Sequence, residues 1–288
     1  VWRSEPPQCS VTEIITECVR RSRREGIADR VAEDLTHAQE NSEKLQGFIK
    51  NGTTWMATPQ DFPLARLSKE DMEYLYTERL VGKAASAPRR YYDAIKAVKI
   101  TQLCPYCNAT RVATLDHFLP KANYATLSVD PWNLVPCCSD CNRTLNNFTA
   151  TRADESPYHP YGEEIPDPME RWLYAEVQRG DPPAVRFYVQ PPMDWPDHTG
   201  RRVRFLFERF DLQTVYSGCA AQYILESQEA VRRQHEQCAN SSIAAASARA
   251  DRLCAASDVA NALRTVNNVR SVIYESLADE EWFCRAEW

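Results

Sequence analysis

Apolar positions recur at helical spacing through the first hundred residues. Ser10 and Glu13 form a Ser-x-x-Glu capping box ahead of Ile14, Ile15, Cys18 and Val19, which predicts a helix over residues 10–24 that ends at Gly26. Val31, Leu35, Ala38, Leu45 and Phe48 share one side of a second helix over residues 27–50, stopped by Asn51-Gly52. Further helices are predicted over residues 68–81 and, entered through Pro88, over residues 89–100. Between residues 101 and 150 that period disappears, and Cys, Pro, Asn and short β-branched runs predict strands and loops instead. Two later strands, residues 172–177 and 185–189, flank a turn-rich segment and read as a hairpin. Helical spacing returns over residues 201–235 and 241–277, with Asp258 as a cap in the second stretch and the alanine-rich residues 243–256 read as helix. The pattern is α+β. It divides into a helical N-terminal region (1–100), a strand-and-loop core (101–160), and a hairpin followed by a helical C-terminal region (161–288).

The composition narrows the class. With 288 residues, 43% apolar and 26% charged, the chain has the make-up of a soluble globular protein and the length for one large domain or two ordinary ones. No apolar run is long enough to cross a bilayer, and the polar start lacks the pattern of a secretory signal, so a cytoplasmic protein with no membrane partner is expected. Eleven cysteines cannot all pair internally and are too scattered for a small disulfide scaffold, which points to reduced thiols and a metal site. A net charge of −6 excludes a globally basic nucleic-acid binder. A local basic stretch remains: Lys83, Arg89, Arg90, Lys96, Lys99, Arg111 and Lys121 stand against Asp93 and Asp116 alone.

Cys104-Pro-Tyr-Cys107 and Cys138-Ser-Asp-Cys141 are two C-x2-C knuckles thirty residues apart, the spacing with which two turns of chain grip tetrahedral zinc. Four thiolates close the coordination shell, so this Zn2+ is expected to be structural rather than catalytic. Substituting Cys137 for Cys138 would break the spacing to Cys141. Cys9, Cys18, Cys219, Cys238, Cys254 and Cys284 fall mostly in helical patterns and read as core residues.

Between the knuckles stands Leu115-Asp116-His117-Phe118-Leu119-Pro120-Lys121, followed by Asp130-Pro-Trp-Asn133-Leu-Val-Pro136 and, after the last zinc cysteine, Asn142. This order resembles the HNH (His-Me finger) endonucleases, particularly bacterial, defence-associated members with LDHxLPK and NLVPxCxxCN; the likeness covers roughly residues 89–161. The nine-residue step from Asn133 to Asn142 is also similar to the HNH domain of CRISPR effector proteins. The resemblance implies a zinc-stapled ββα-metal core embedded between the helical regions. It implies His117 as general base, Asp116 and Asn142 as ligands to a catalytic Mg2+ or Mn2+, and Asn133 as support for the loop that orients His117. The chemistry fits those residue types. A neutral imidazole with a pKa near 7 can take a proton from water, and a hard cation prefers carboxylate and amide oxygens. Since neighbours on a regular strand face opposite ways, the strand must end or distort at Asp116-His117 for both to serve one site. A helix is expected after Asn142, with Leu145 and Phe148 on its buried side.

The resemblance further implies a DNA substrate and a protein partner from the same operon, such as an ATPase, a sensor or a guide-loaded protein. Phosphate contacts are expected from Arg143 or Arg152. Asn146 and His159 are further candidates near the site, with a solvated helix face and a tyrosine-packed turn as their plainer readings. Arg20, Arg21, Arg23 and Arg24 read as a solvated helix end, and the hairpin aromatics as core. A different class, a non-catalytic zinc-ribbon module that binds nucleic acid or protein, needs only the cysteines. A zinc deaminase needs His-x-Glu and an open zinc, whereas Phe118-Leu119 follows His117.

Overall fold

The computed structural model describes residues 3–97, 102–181 and 183–288. It contains helices and two small antiparallel sheets, and the chain divides into two compact units, Val1–Ile165 and Pro166–Trp288. Residues 1–100 and 101–160, distinct regions by sequence pattern, thus belong to one unit. Lys99 and the last residues of the helix predicted over 89–100 lie outside the described residues.

In the first unit, α1 (Val11–Val19) starts at the expected capping box, Ser10 accepting the Glu13 N–H and the Glu13 carboxylate accepting the Ser10 N–H. It stops at Arg20, short of residue 24, because Arg20 turns extended and Arg21 takes a positive φ. Helix α2 spans Ile27–Lys50 as predicted, and Gly52 supplies the left-handed residue just beyond it. Buried Asp34 on α2 accepts hydrogen bonds from the Ala65, Arg66 and Leu67 amides at 2.6–2.7 Å, fixing the following loop. Ser68 caps α3 (Lys69–Tyr74), which runs on as a π-helical segment, Leu75–Val81. Gly82 ends it, since a Cβ there would sit 2.6 Å from the Glu78 carbonyl oxygen. Helix α4 (Arg89–Lys96) follows Pro88.

Strands β1 (Thr114–His117) and β2 (Leu134–Cys137) pair antiparallel, and α5 (Ser139–Leu145) packs against β1. Leu115, Leu134 and Val129 join residues of α1, α2, α3, the π segment and α4 in one apolar cluster. Leu119, Tyr124 and Leu127, from the loop between the strands, join Leu45, Ile49 and Phe62 in a second. A four-residue ladder is marginal alone. Here the N-terminal helices provide its core.

In the second unit, β3 (Leu173–Gln178) and β4 (Ala184–Val189) form the predicted hairpin. Trp172 and Phe187 are buried, while Tyr174 and Tyr188 stack with centroids 5.6 Å apart and are half-buried. The pattern read over 201–235 is two helices, α6 (Asp197–Arg209) and α7 (Leu212–Gln237), broken where Asp211 adopts φ 45°. Likewise α8 (Ser241–Leu263) and α9 (Val269–Asp279) are separated at Arg264, with φ 53°. Asp258 is not a cap: it lies inside α8, and the capping side chains are Asn240 and Asn268. Helix α10 (Glu281–Cys284) closes the chain. The Asn267 side chain accepts the Trp172 and Leu173 amides at 2.8 and 3.0 Å and donates to the Pro168 and Glu170 carbonyls. No helix among the described residues is long and apolar enough to cross a membrane.

Candidate metal centre and adjoining cleft

The first knuckle is a tight turn. The Asn108 amide donates to the Cys104 carbonyl at 2.7 Å, and Asn108 itself has φ 51°. The second knuckle lies where β2 meets α5, with Cys138 as N-cap and its sulfur accepting the Cys141 N–H. Together they bring the Cys104, Cys107, Cys138 and Cys141 sulfurs within 4.8 Å of one another, all buried. A zinc ion with sulfurs at about 2.3 Å spaces them at about 3.8 Å, so the quartet needs only slight contraction. Hydrogen bonds from neighbouring thiols push Cys107 and Cys138 toward the thiolate. Burial, with those same bonds, pushes Cys104 up, and the crowded thiols push Cys141 up. The cluster can hold a structural ion such as zinc, and binding would expel the remaining protons. Cys137 stands apart, opposite Thr114 on the ladder. All eleven cysteines are free of disulfides. Cys18 and Cys284 are core residues, but Cys254 is exposed, because it falls on the outer side of α8.

His117 closes β1. Its Nε2 lies 2.9 Å from the Ser128 carbonyl oxygen, which can only accept, so Nε2 carries the proton and Nδ1 keeps its lone pair. Burial holds this imidazole down at about 4, helped by the Lys121 charge and opposed by the Ser128 carbonyl. It is therefore neutral at pH 7, well below the pKa expected of a base poised near neutrality. Asn133, fully buried, accepts the Leu119 N–H at 2.7 Å and donates to the Leu119 and Leu127 carbonyls at 3.0 and 3.3 Å. It thus ties Leu119 and Leu127 of the loop that carries Ser128.

Asp116 and His117 occupy consecutive ladder positions opposite Val135 and Leu134, with no bulge. The strand ends at His117 but is regular through both, so their side chains alternate in direction. Asp116 is buried, its Oδ2 has no hydrogen-bond partner, and burial pushes its carboxyl up to about 8. An acid so placed is neutral at pH 7 or needs a cation. Asn142 is half-buried on α5. A cleft of about 20 Å³, room for about one water, opens beside His117. Its walls include Asn146, Thr54, Trp55 and Pro157, and neither Asp116 nor Asn142. Asn146 is exposed, as its plainer reading has it, but it stands at the end of α5 rather than on its face, with φ 42° and ψ −113°. Phe148 lies past that helix end, leaving Leu145 as the buried residue on this side.

Both arginines expected at phosphate are paired locally, Arg143 with Asp140 and Arg152 with Asp154 at 2.7 and 2.8 Å. Arg24 pairs with buried Asp71 at 2.9 Å, so part of the basic run read as a solvated helix end is structural. His159 is buried with its ring 4.4 Å from Phe118, and its Nδ1 accepts the Tyr161 N–H. Burial lowers it to about 3, and it acts as packing beneath the loop. Sequence reasoning missed Tyr76, whose ring lies 4.5 Å from that of His117, because nothing within the helix predicted over residues 68–81 sets it apart.

A stretch of 170 residues is 33% identical to Protein ea31 of Escherichia phage lambda, covering 58% of this chain and 57% of the phage protein. The chain therefore spans little more than half the length of that relative. No family model matches the chain. No solved structure matches it either.

Proposed function

We propose that the protein is a metal-dependent endonuclease of the HNH type that hydrolyses DNA phosphodiesters. The observation that carries this reading is the imidazole of His117, held by Ser128 as the tautomer with a free Nδ1 lone pair and seated at a cleft. The supporting arrangement is two antiparallel strands and a helix, Asn133 bracing the loop between them, and a cysteine quartet pinning the ends. In this reading His117 takes the proton of the attacking water. Mg2+ or Mn2+ held by Asp116 and Asn142 would supply charge stabilisation at the phosphate and the leaving oxygen. Asp116 fits that role in one respect, as a buried acid with an unpartnered oxygen that a cation would satisfy. The role also requires Asp116 to turn toward the His117 side, which the regular pairing of Asp116 with Val135 opposes.

That requirement favours one second reading. With Asp116 and His117 on opposite faces, the cysteine-stapled fold serves as a non-catalytic module binding nucleic acid or protein. Incubating plasmid, single-stranded DNA and RNA with wild type and His117→Ala, in Mg2+, Mn2+ or EDTA, separates the two. The nuclease predicts metal-dependent cleavage that falls by about 100-fold or more in the variant. Cleavage in EDTA, or undiminished in the variant, refutes the mechanism. A defence role with a partner protein from the same operon rests on the sequence resemblance alone, and a pull-down from the native host tests it.

A further inference from the structure

A phosphodiester brings a negative charge to the His117 imidazole, and few cations are placed to meet it. Arg143 and Arg152 hold carboxylates on their own turns, Arg89 pairs with Asp93 at 3.0 Å, and Arg90 reaches Glu17 at 3.7 Å. Lys121 differs. Its Nζ lies 5.0 Å from the Tyr76 ring centroid, and the His117 ring lies 4.5 Å from that same centroid, so ammonium and imidazole share one aromatic neighbour. Among the described residues, no carboxylate lies within ion-pair distance of Lys121.

Hydrogen bonds on the residues just before Lys121 set its place in the loop. Asn133 binds both polar groups of Leu119, two residues earlier, and the Pro120 carbonyl accepts the Asn123 and Tyr124 amides at 2.9 Å. Lys121 therefore occupies the first corner of a turn anchored by the same side chain that braces the His117 loop. Tyr76 is buried in the π-helical segment, and its ring is in contact with both the Lys121 ammonium and the His117 imidazole. A cation resting on an aromatic face is attracted by that ring yet keeps its N–H groups for another acceptor.

We propose that Lys121 is the cation that contacts the scissile phosphate beside His117, with Tyr76 as its positioning residue. The inference rests on the nuclease reading for the word scissile, but not for the phosphate contact. It is tested with Lys121→Met, which keeps the apolar stem on Tyr76, Lys121→Arg, which keeps the charge, and His117→Ala. Affinity for a single-stranded oligonucleotide is measured in Mg2+-free, zinc-containing buffer across a range of KCl, and cleavage is measured separately in Mn2+. Lys121→Met is expected to weaken binding several-fold and to flatten the salt slope by about one phosphate's worth, with Lys121→Arg close to wild type. Its kcat is expected to fall by about 100-fold, the scale of losing one preorganised charge contact. An unchanged salt slope in Lys121→Met, with or without a lower melting temperature, overturns the proposal and leaves Lys121 as a latch on Tyr76. Should His117→Ala cleave like wild type, the nuclease reading fails, while the binding comparison still decides for or against Lys121.

Discussion

Replacing Asn133 with alanine isolates the part of the site that the fold itself has to hold. The side chain is fully buried and makes three hydrogen bonds, to the Leu119 N–H, the Leu119 carbonyl and the Leu127 carbonyl. Each bond contributes about 1 kcal/mol net, and each buried backbone group left unpaired costs about 1–3 kcal/mol. Asn133→Ala removes all three and leaves no space for several ordered waters, so a loss of about 3–5 kcal/mol is expected. Against the roughly 5–15 kcal/mol that stabilises a whole domain, that is a large fraction. Urea denaturation of the zinc-loaded protein measures it, and hydrogen exchange locates it in residues 118–133. The Ser128 carbonyl rides on this loop, so freeing the loop also frees the His117 ring. A destabilisation below about 1 kcal/mol, or exchange protection unchanged across the loop, would show that the apolar cluster of Leu119, Tyr124 and Leu127 suffices and that Asn133 is dispensable.

Three further outcomes are expected. Elemental analysis should find one zinc per chain, lost in Cys141→Ser, with hydrogen exchange accelerating across residues 102–145 on chelation; an intact melting transition after complete metal removal would contradict this. Asp116, ordinarily near 3.8, is pushed to about 8 by burial, so between those values the folded chain holds a proton that the unfolded chain releases. Stability should therefore decline as pH rises from about 4 to about 8, and Asp116→Asn should abolish that slope in Mg2+-free denaturation curves. Asp34 behaves oppositely: burial alone would raise its carboxyl, but the Leu67, Arg66 and Ala65 amides hold it below the usual range. Asp34→Ala should cost about 3–5 kcal/mol at pH 7, and the wild-type advantage, read from paired urea titrations, should disappear as pH falls through that depressed pKa.

Much of the frame was legible because its signals are local. The Ser10 capping box, the Asn51-Gly52 stop and the alternating hairpin residues all act within a few positions of themselves. The cysteine quartet was legible for a related reason, since two short knuckles fix their own geometry. What stayed hidden depends on residues distant in sequence. The breaks at Asp211 and Arg264 interrupt continuous apolar spacing through a single left-handed residue, which neither Asp nor Arg advertises as glycine would. Tyr76 carries no signal of its own within a segment read as helix, and its contact with His117 joins distant parts of the chain. The sequence demands that β1 end or distort at Asp116-His117 if both are to serve one site, because period-two alternation is a property of any regular strand. In the fold the ladder keeps that alternation.

The four bonds made by Asn267 have a consequence for how the second unit assembles. This one amide does the work of a neighbouring strand for the start of β3, yet it arrives nearly a hundred residues later in the chain. Until the end of α8 is synthesised, the ribbon's first two amides have no such acceptor and its register lacks this external reference. The ribbon should then consolidate late, once the junction before α9 reaches it. A nascent chain stalled before residue 260 is accordingly expected to expose those amides to exchange, while the first unit, complete by Ile165, is already protected.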